Sequence, residues 1–357
     1  HEQPTVGGKV AAPFLPWMLA LPYRVVSAVA PPFLALRGTM IFWSALGAGI
    51  GWWVALRHSG PPYSRLERGA LILLALLPVG WIASAVLTQD DAIAAGWSGL
   101  CVLLWRRFGA WGGFVAAALA MWFAKPFFVL YFLALWIAYP RERVRLTLAG
   151  TAWVALLLGF IWWRDGSFTS LRHTVHPYMG GNLYAIWWIF SGDYTPEAVR
   201  AFRGSARGVG SVLTILVLGG WAYSGWKKPR SFPTALVGAY SLFFAVFVGM
   251  MPEYEYWYFA WVILVLWAAV KRGDWLTAAI GWSHSAFGYA YKVLYACDGR
   301  TFHKAAPSPL QAWYERNLNY DLRPLLLLTA AMTVVGGLAL AYRLYRHDPF
   351  TVEGEGT

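Results

Sequence analysis

Between Gly38 and Tyr342 the chain is a series of apolar runs broken by short turns, and every second turn carries clustered arginine or lysine. One set of turns holds Arg57, Arg65 and Arg68; Arg106 and Arg107; Arg141, Arg143 and Arg145; Lys227, Lys228 and Arg230; Lys271 and Arg272; and, in the tail, Arg343 and Arg346. The alternate set holds Asp90 and Asp91, Lys125, the long connection 164–208, Glu253 and Glu255, and the connection 294–323. Inside a bilayer every backbone N–H and C=O needs an internal partner, so continuous apolar runs become helices, and runs that do not alternate argue against a β-barrel. Short basic loops stay on the cytoplasmic side, which puts the first set inside and the second outside.

The expectation is an all-α, polytopic helical membrane protein with about eleven spans, at 38–56, 68–87, 92–105, 109–124, 126–139, 146–163, 209–226, 233–250, 256–270, 274–293 and 324–342. Several of these are shorter than the ~20 residues of a full crossing, so those around Lys125 tilt or end in a polar cavity. Composition agrees: 59% of residues are hydrophobic and 13% charged, against roughly 25% charged in a soluble domain. The net charge of +12 flanks spans instead of clustering on a soluble face, so orientation explains it better than nucleic acid does. Cys101 falls in a span and Cys297 in a loop, which gives neither a disulfide framework nor a cysteine metal site.

The whole of 1–357 reads as a single transmembrane domain. Residues 1–37 form an outer juxtamembrane segment whose apolar part carries Pro13, Pro16, Pro22, Pro31 and Pro32, too many for a straight span. Two short interfacial helices or one broken span fit it. The connections 164–208 and 294–323 are outer loops, and 343–357 is a cytoplasmic tail.

The outer set carries the chemistry. Asp90 and Asp91 stand between two apolar runs; they either cap the following helix or serve a site, and one residue can do both. Lys125, followed by Pro126, is the one charge in 109–139, so it either snorkels at a tight hairpin or contacts a phosphate or carboxylate. Loop 164–208 contains Arg164, Arg172, Arg200, Arg203 and Arg207, and its glycine-rich end runs into a helix expected to begin near Ser211. Arginines beside a helix N-terminus favour an anion, while a flexible re-entry loop explains the same residues. Asn182 to Phe190 is apolar but too short to span. His173 and His176 have the spacing of two ligands on a helix face without an obvious third, and His284 reads better as a satisfied core histidine than as a haem ligand. Glu253 and Glu255 alternate with tyrosines suited either to sugar stacking or to the membrane interface.

In order along the chain, Ala12-Pro13-Phe14-Leu15-Pro16-Trp17, Gln89-Asp90-Asp91, Lys125-Pro126, Asn182-Leu183-Tyr184-Ala185-Ile186-Trp187-Trp188 and Pro252-Glu253-Tyr254-Glu255-Tyr256 resemble features of the GT-C superfamily of integral-membrane glycosyltransferases, in its mannosyltransferase-like branch. The resemblance spans roughly residues 10–270. It implies transfer of a sugar from a polyprenyl-phosphate donor to an acceptor hydroxyl on the periplasmic face of a bacterial cytoplasmic membrane. Within the chain itself Asp90, Asp91 and Glu253 are the candidate catalytic carboxylates, Asp90 and Asp91 also being able to position the acceptor or a metal, and Lys125, Arg203 and Arg207 would hold the donor phosphate. Gln89, Glu255 and Tyr256 would contact the acceptor or sugar. No metal ligand set is implied, although Asp90 and Asp91 leave a divalent cation open as a cofactor.

In that superfamily the catalytic carboxylate lies on the first outer loop, so the resemblance puts it upstream of His1 or makes the chain a non-catalytic relative. The expected partners are the lipid-linked donor, membrane lipid and, in the second case, proteins of a larger membrane complex in which this chain is an accessory subunit. A lipid-linked sugar transporter ranks third, because the paired broken helices common in transporters are not evident.

Overall fold

The computed structural model describes residues 14–59, 64–65, 69, 91–168, 196–247, 254–297 and 323–350. All regular structure among them is helical. Four helical stretches are long and apolar enough to cross a membrane: Pro32–Arg57, Pro140–Asp165, Gly208–Lys227 and Leu328–Arg346.

The first helix, α1 (Leu15–Ser27), has a proline in its first turn, and Pro22 lies within it. Trp17, Leu21 and Val25 form an exposed apolar stripe at helical spacing along it. That is the surface of a helix lying in an interface. The second interfacial helix expected before residue 37 is absent as a separate element. Pro32 instead opens α2 (Pro32–Ser59), because proline suits a first helical turn and nothing beyond it breaks the run.

The next element, α3 (Asp91–Phe123), is a hairpin of two arms. Gly109 adopts φ 64°, ψ −143°, a conformation open to glycine and costly for other residues, and the chain reverses there. A Cβ on Gly112 would lie 2.2 Å from the Leu104 carbonyl oxygen, and the rings of Trp97 and Phe123 stack at 5.8 Å. The two arms correspond to the expected spans 92–105 and 109–124.

A 3₁₀ turn, Pro126–Phe128, leads into α4 (Val129–Ala138), and another, Pro140–Glu142, into α5 (Arg143–Asp165). The chain continues as α6 (Pro196–Lys227), α7 (Phe232–Phe247), α8 (Tyr254–Lys271), α9 (Trp275–Cys297) and α10 (Arg323–Arg346). Cys297 therefore ends a helix and is not a loop residue, and Cys101 is free and buried. Apart from residue 69, the expected span 68–87 lies outside the described residues.

The core is built on α2, α3, α4, α7 and α8. Small residues let backbones approach: a Cβ on Gly47 of α2 would meet the Ala95 carbonyl of α3 at 2.1 Å. At the centre, the Trp261 indole donates to the Tyr131 hydroxyl at 2.6 Å, and Tyr131 donates to Ser98 Oγ at 3.0 Å, so three helices share one satisfied polar chain. His284 is fully buried with Nδ1 3.1 Å from the Thr333 carbonyl, as a core histidine. Outward, Val144, Leu148, Leu156, Ile215 and Leu216 on α5 and α6 stay exposed, an apolar exterior matched to lipid.

Candidate functional site

The alternating turns of the sequence become two separate ends of the bundle. At one end Trp105 donates to the Tyr139 hydroxyl at 2.7 Å, which joins the Arg106–Arg107 turn to the 140–145 turn. Arg143 donates to the carbonyls of Trp136 and Gly225, both at 3.0 Å, and stacks over Trp136 and Trp226. Ser231 donates its N–H to Asp348 at 2.6 Å, and Arg343 pairs with Asp274 at 2.8 Å. The basic turns 106–107, 141–145, 227–230, 271–272 and 343–346 are thus one face.

The opposite end is built around Lys125. Its backbone is extended (φ −146°, ψ 140°), as a residue before proline prefers, and Pro126 opens the 3₁₀ turn. Its N–H donates to the Ala120 carbonyl at 3.1 Å, and its side chain is half-buried. Beside it, the Phe14 N–H donates to the Trp122 carbonyl at 2.9 Å, which ties the juxtamembrane segment to this turn. The rings of Phe14, Trp122, Phe123 and Phe160 pack together with centroids 5.1–6.1 Å apart. The indole nitrogens of Trp97 and Trp122 are buried there without hydrogen-bond partners. Orphaned buried donors are costly and call for a reason.

The helix positions of the expected site residues come to this same end. Asp91 is the first residue of α3, and its arm runs antiparallel to the arm that ends at Phe123. Glu255 and Tyr256 lie in the first turn of α8, upstream of Trp261, which bonds to Tyr131 just after the Lys125 turn. Beyond their helix positions, the side chains of Asp91, Glu255 and Tyr256 lie outside the described structure. Gln89, Asp90 and Glu253 lie outside it altogether, as do His173, His176 and the segment 182–190.

One expectation is corrected. Arg203 and Arg207 do not precede a helix that starts near Ser211. They lie within α6, which begins at Pro196, so the amides around Ser211 are helix-internal and no N-terminal anion site exists there. The signal was present in Thr195-Pro196-Glu197, a helix-start pattern with proline in the first turn and an acid beside it. At 32 residues, α6 is about 48 Å long, more than a bilayer core of ~30 Å. Its apolar part starts at Gly208. The first turns, with Arg200, Arg203 and Arg207 on one face by their spacing, therefore project beyond that part, away from the basic end. Arg164 is committed elsewhere, to a two-pronged bond with Asp165 at 2.7 and 2.9 Å.

Sequence reading missed Arg37. It sits near the start of α2, half-buried, over the Phe33 ring at 4.2 Å, with a buried Nε lacking a partner. A lone arginine in an apolar run was the available signal. Among the described residues no three His, Cys, Asp or Glu side chains converge as a metal site. Compared with protein-family models, curated proteins and solved structures, the chain finds no match.

Proposed function

We propose that the chain is a multi-pass membrane glycosyltransferase of the GT-C kind, working at the Lys125 end of the bundle. About eleven spans orient the arginine and lysine turns to the cytoplasm and the Lys125 end to the periplasm of a bacterial inner membrane. One observation carries the reading: Lys125, the helix starts that bear Asp91 and Glu255, and the juxtamembrane segment at Phe14 lie at the end opposite the basic turns 106–107, 141–145, 227–230, 271–272 and 343–346. Charges are costly near lipid, and their gathering at one level suits a shared polar ligand.

In this reading the acceptor hydroxyl oxygen attacks the anomeric carbon of the sugar. The bond from that carbon to the phosphate oxygen breaks, and the polyprenyl phosphate leaves with the electron pair. The hydroxyl proton passes to a carboxylate, for which Asp90, Asp91 and Glu253 are the candidates. Lys125, with Arg203 and Arg207, would stabilise the charge that grows on the leaving phosphate. Gln89, Glu255 and Tyr256 would orient the acceptor or sugar. A divalent cation near Asp90 and Asp91 is compatible with this scheme and not required by it.

The second reading, an accessory subunit, rests on the exposed apolar faces of α5 and α6, which would pack on a partner as readily as on lipid. Sugar transfer from a radiolabelled polyprenyl-phosphate sugar in membranes separates the two. Wild-type membranes should transfer label to endogenous acceptors. Lys125→Gln should lower the rate by about 10²-fold or more, the scale of losing one electrostatic contact to a leaving group. No transfer by wild type with any polyprenyl-phosphate sugar favours the accessory reading.

A further inference from the structure

At the basic end, a cleft of about 870 Å³ opens between the ends of α6, α8 and α10. Lys228, Arg230, Arg272, Arg343 and Arg346 line it with only two carboxylates, Asp274 and Asp348. Both acids are occupied. Asp274 pairs with Arg343 and accepts from Thr277. Asp348 accepts from the Ser231 N–H and Oγ, from Thr234 Oγ1 and from the Phe350 N–H, capping the start of α7. Asp348 also acts electrostatically on Arg230, but five cations against two acids leave the cleft with an excess of positive charge.

Arg230 is the unusual member. It is only 4% exposed, and its guanidinium lies between the rings of Trp221 and Tyr345, at 4.5 and 5.0 Å. Nη1 donates to Ser224 Oγ at 3.1 Å and to the Lys228 carbonyl at 3.3 Å, while Nη2 is buried without a hydrogen-bond partner. Orienting spans requires cations at the membrane surface; it does not require one fixed between two rings in the wall of a cleft. A guanidinium held against two rings, with exposed Lys228 and Arg346 nearby, suits recognition of phosphate oxygens.

We propose that this cleft binds a phosphate-bearing anion of the phosphate-ester or diphosphate class, with Arg230 in its wall and Lys228 and Arg346 completing the contacts. The anion is either the headgroup of an acidic phospholipid in the adjacent leaflet or a free phosphorylated solute. The site is separate from the Lys125 end and does not depend on the glycosyltransferase reading.

The test uses the full chain in phosphatidylcholine nanodiscs, titrated calorimetrically with inorganic pyrophosphate, and native mass spectrometry of the chain with phosphatidylglycerol or phosphatidylcholine. Lys228→Gln/Arg346→Gln removes two exposed cleft cations. Arg141→Gln/Arg145→Gln removes two exposed cations from the same end outside the cleft. Saturable pyrophosphate binding that falls at least tenfold in the cleft variant and less than twofold in the control identifies a soluble ligand. Retention of phosphatidylglycerol over phosphatidylcholine, lost in the cleft variant alone, identifies the headgroup. Two results overturn the proposal: no saturable binding of either probe, or equal loss in the cleft and control variants, which would reduce the effect to general surface charge. The single variant Arg346→Gln gives the same decision if the double variant does not fold.

Discussion

Arg343, in the last turn of α10, donates to the carboxylate of Asp274 at 2.8 Å and so ties the tail end of the bundle to the turn between α8 and α9. Thr277 donates to the same carboxylate from the first turn of α9. Partial burial alone would raise the Asp274 pKa, but the bonds from Thr277 and Arg343 outweigh it and hold the carboxyl below its usual value. A group lowered on folding contributes stability above its unfolded pKa, ~3.9, and loses it as pH falls through the folded value. Asp274→Asn should therefore cost about 1–2 kcal/mol at pH 7, between exposed-pair and buried-pair values. The difference from wild type should shrink below pH ~4. Thermal unfolding at pH 7 and pH 3.5 checks this, and equal midpoints at pH 7 would refute it.

The contact between α2 and α3 gives a paired prediction. A Cβ at Gly47 would lie 2.1 Å from the Ala95 carbonyl oxygen, which is backbone and cannot swing aside. At Gly49, two residues on, a Cβ meets nothing within 4 Å. Gly47→Ala should destabilise by about 1–3 kcal/mol through forced separation of the helices. Gly49→Ala should be neutral or stabilise by roughly 0.5–1 kcal/mol, as alanine does in a helix. Unfolding of both variants in detergent reads the difference, and indistinguishable midpoints would show that α2 and α3 do not pack this closely.

Much of this fold was legible because lipid leaves few options: an apolar run bounded by polar turns is a helix, and its ends are written in the charges. The hairpin at Gly109 follows from the Arg106–Arg107 turn, and the α4 start from Lys125-Pro126. The start of α6 is obscured in the sequence because Arg203, Gly204 and Gly208 look loop-like, whereas helix-start chemistry at Pro196 decides. The start of α2 is obscured because Pro31 and Pro32 look like breaks, although proline is at home in a first turn. What no local pattern conveys is tertiary: that Arg230 is enclosed by Trp221 and Tyr345, that Asp348 caps a helix starting at Phe232, and that the Trp97 and Trp122 donors lack partners. At the expected site, Lys125 is the residue with a described side chain, and it stands at the end of the bundle opposite the Arg106–Arg107 turn.

The orientation of the two ends is testable without a ligand. Starting from a chain with Cys101→Ala and Cys297→Ser, a cysteine in place of exposed Phe168, after α5, should react with an impermeant maleimide in intact cells. A cysteine in place of Arg145, whose side chain is 74% exposed at the basic end, should react only after permeabilisation. The reverse pattern would invert the bundle and move the Lys125 end to the cytoplasm.

The central claim is that the Lys125 end receives a polyprenyl phosphate, and equilibrium binding tests it without knowledge of the sugar or the acceptor. Purified chain in phosphatidylcholine nanodiscs would be titrated with a polyprenyl phosphate and, separately, with the polyprenol of the same length. The account predicts saturable binding of the phosphate form. Measured in the Lys228→Gln/Arg346→Gln background, which removes the phosphate contacts proposed for the opposite end, Lys125→Gln should weaken it by roughly 1.5–3 kcal/mol, the value of a charge-assisted contact. Equal affinity for polyprenol and polyprenyl phosphate, or unaltered binding in folded Lys125→Gln, would contradict it.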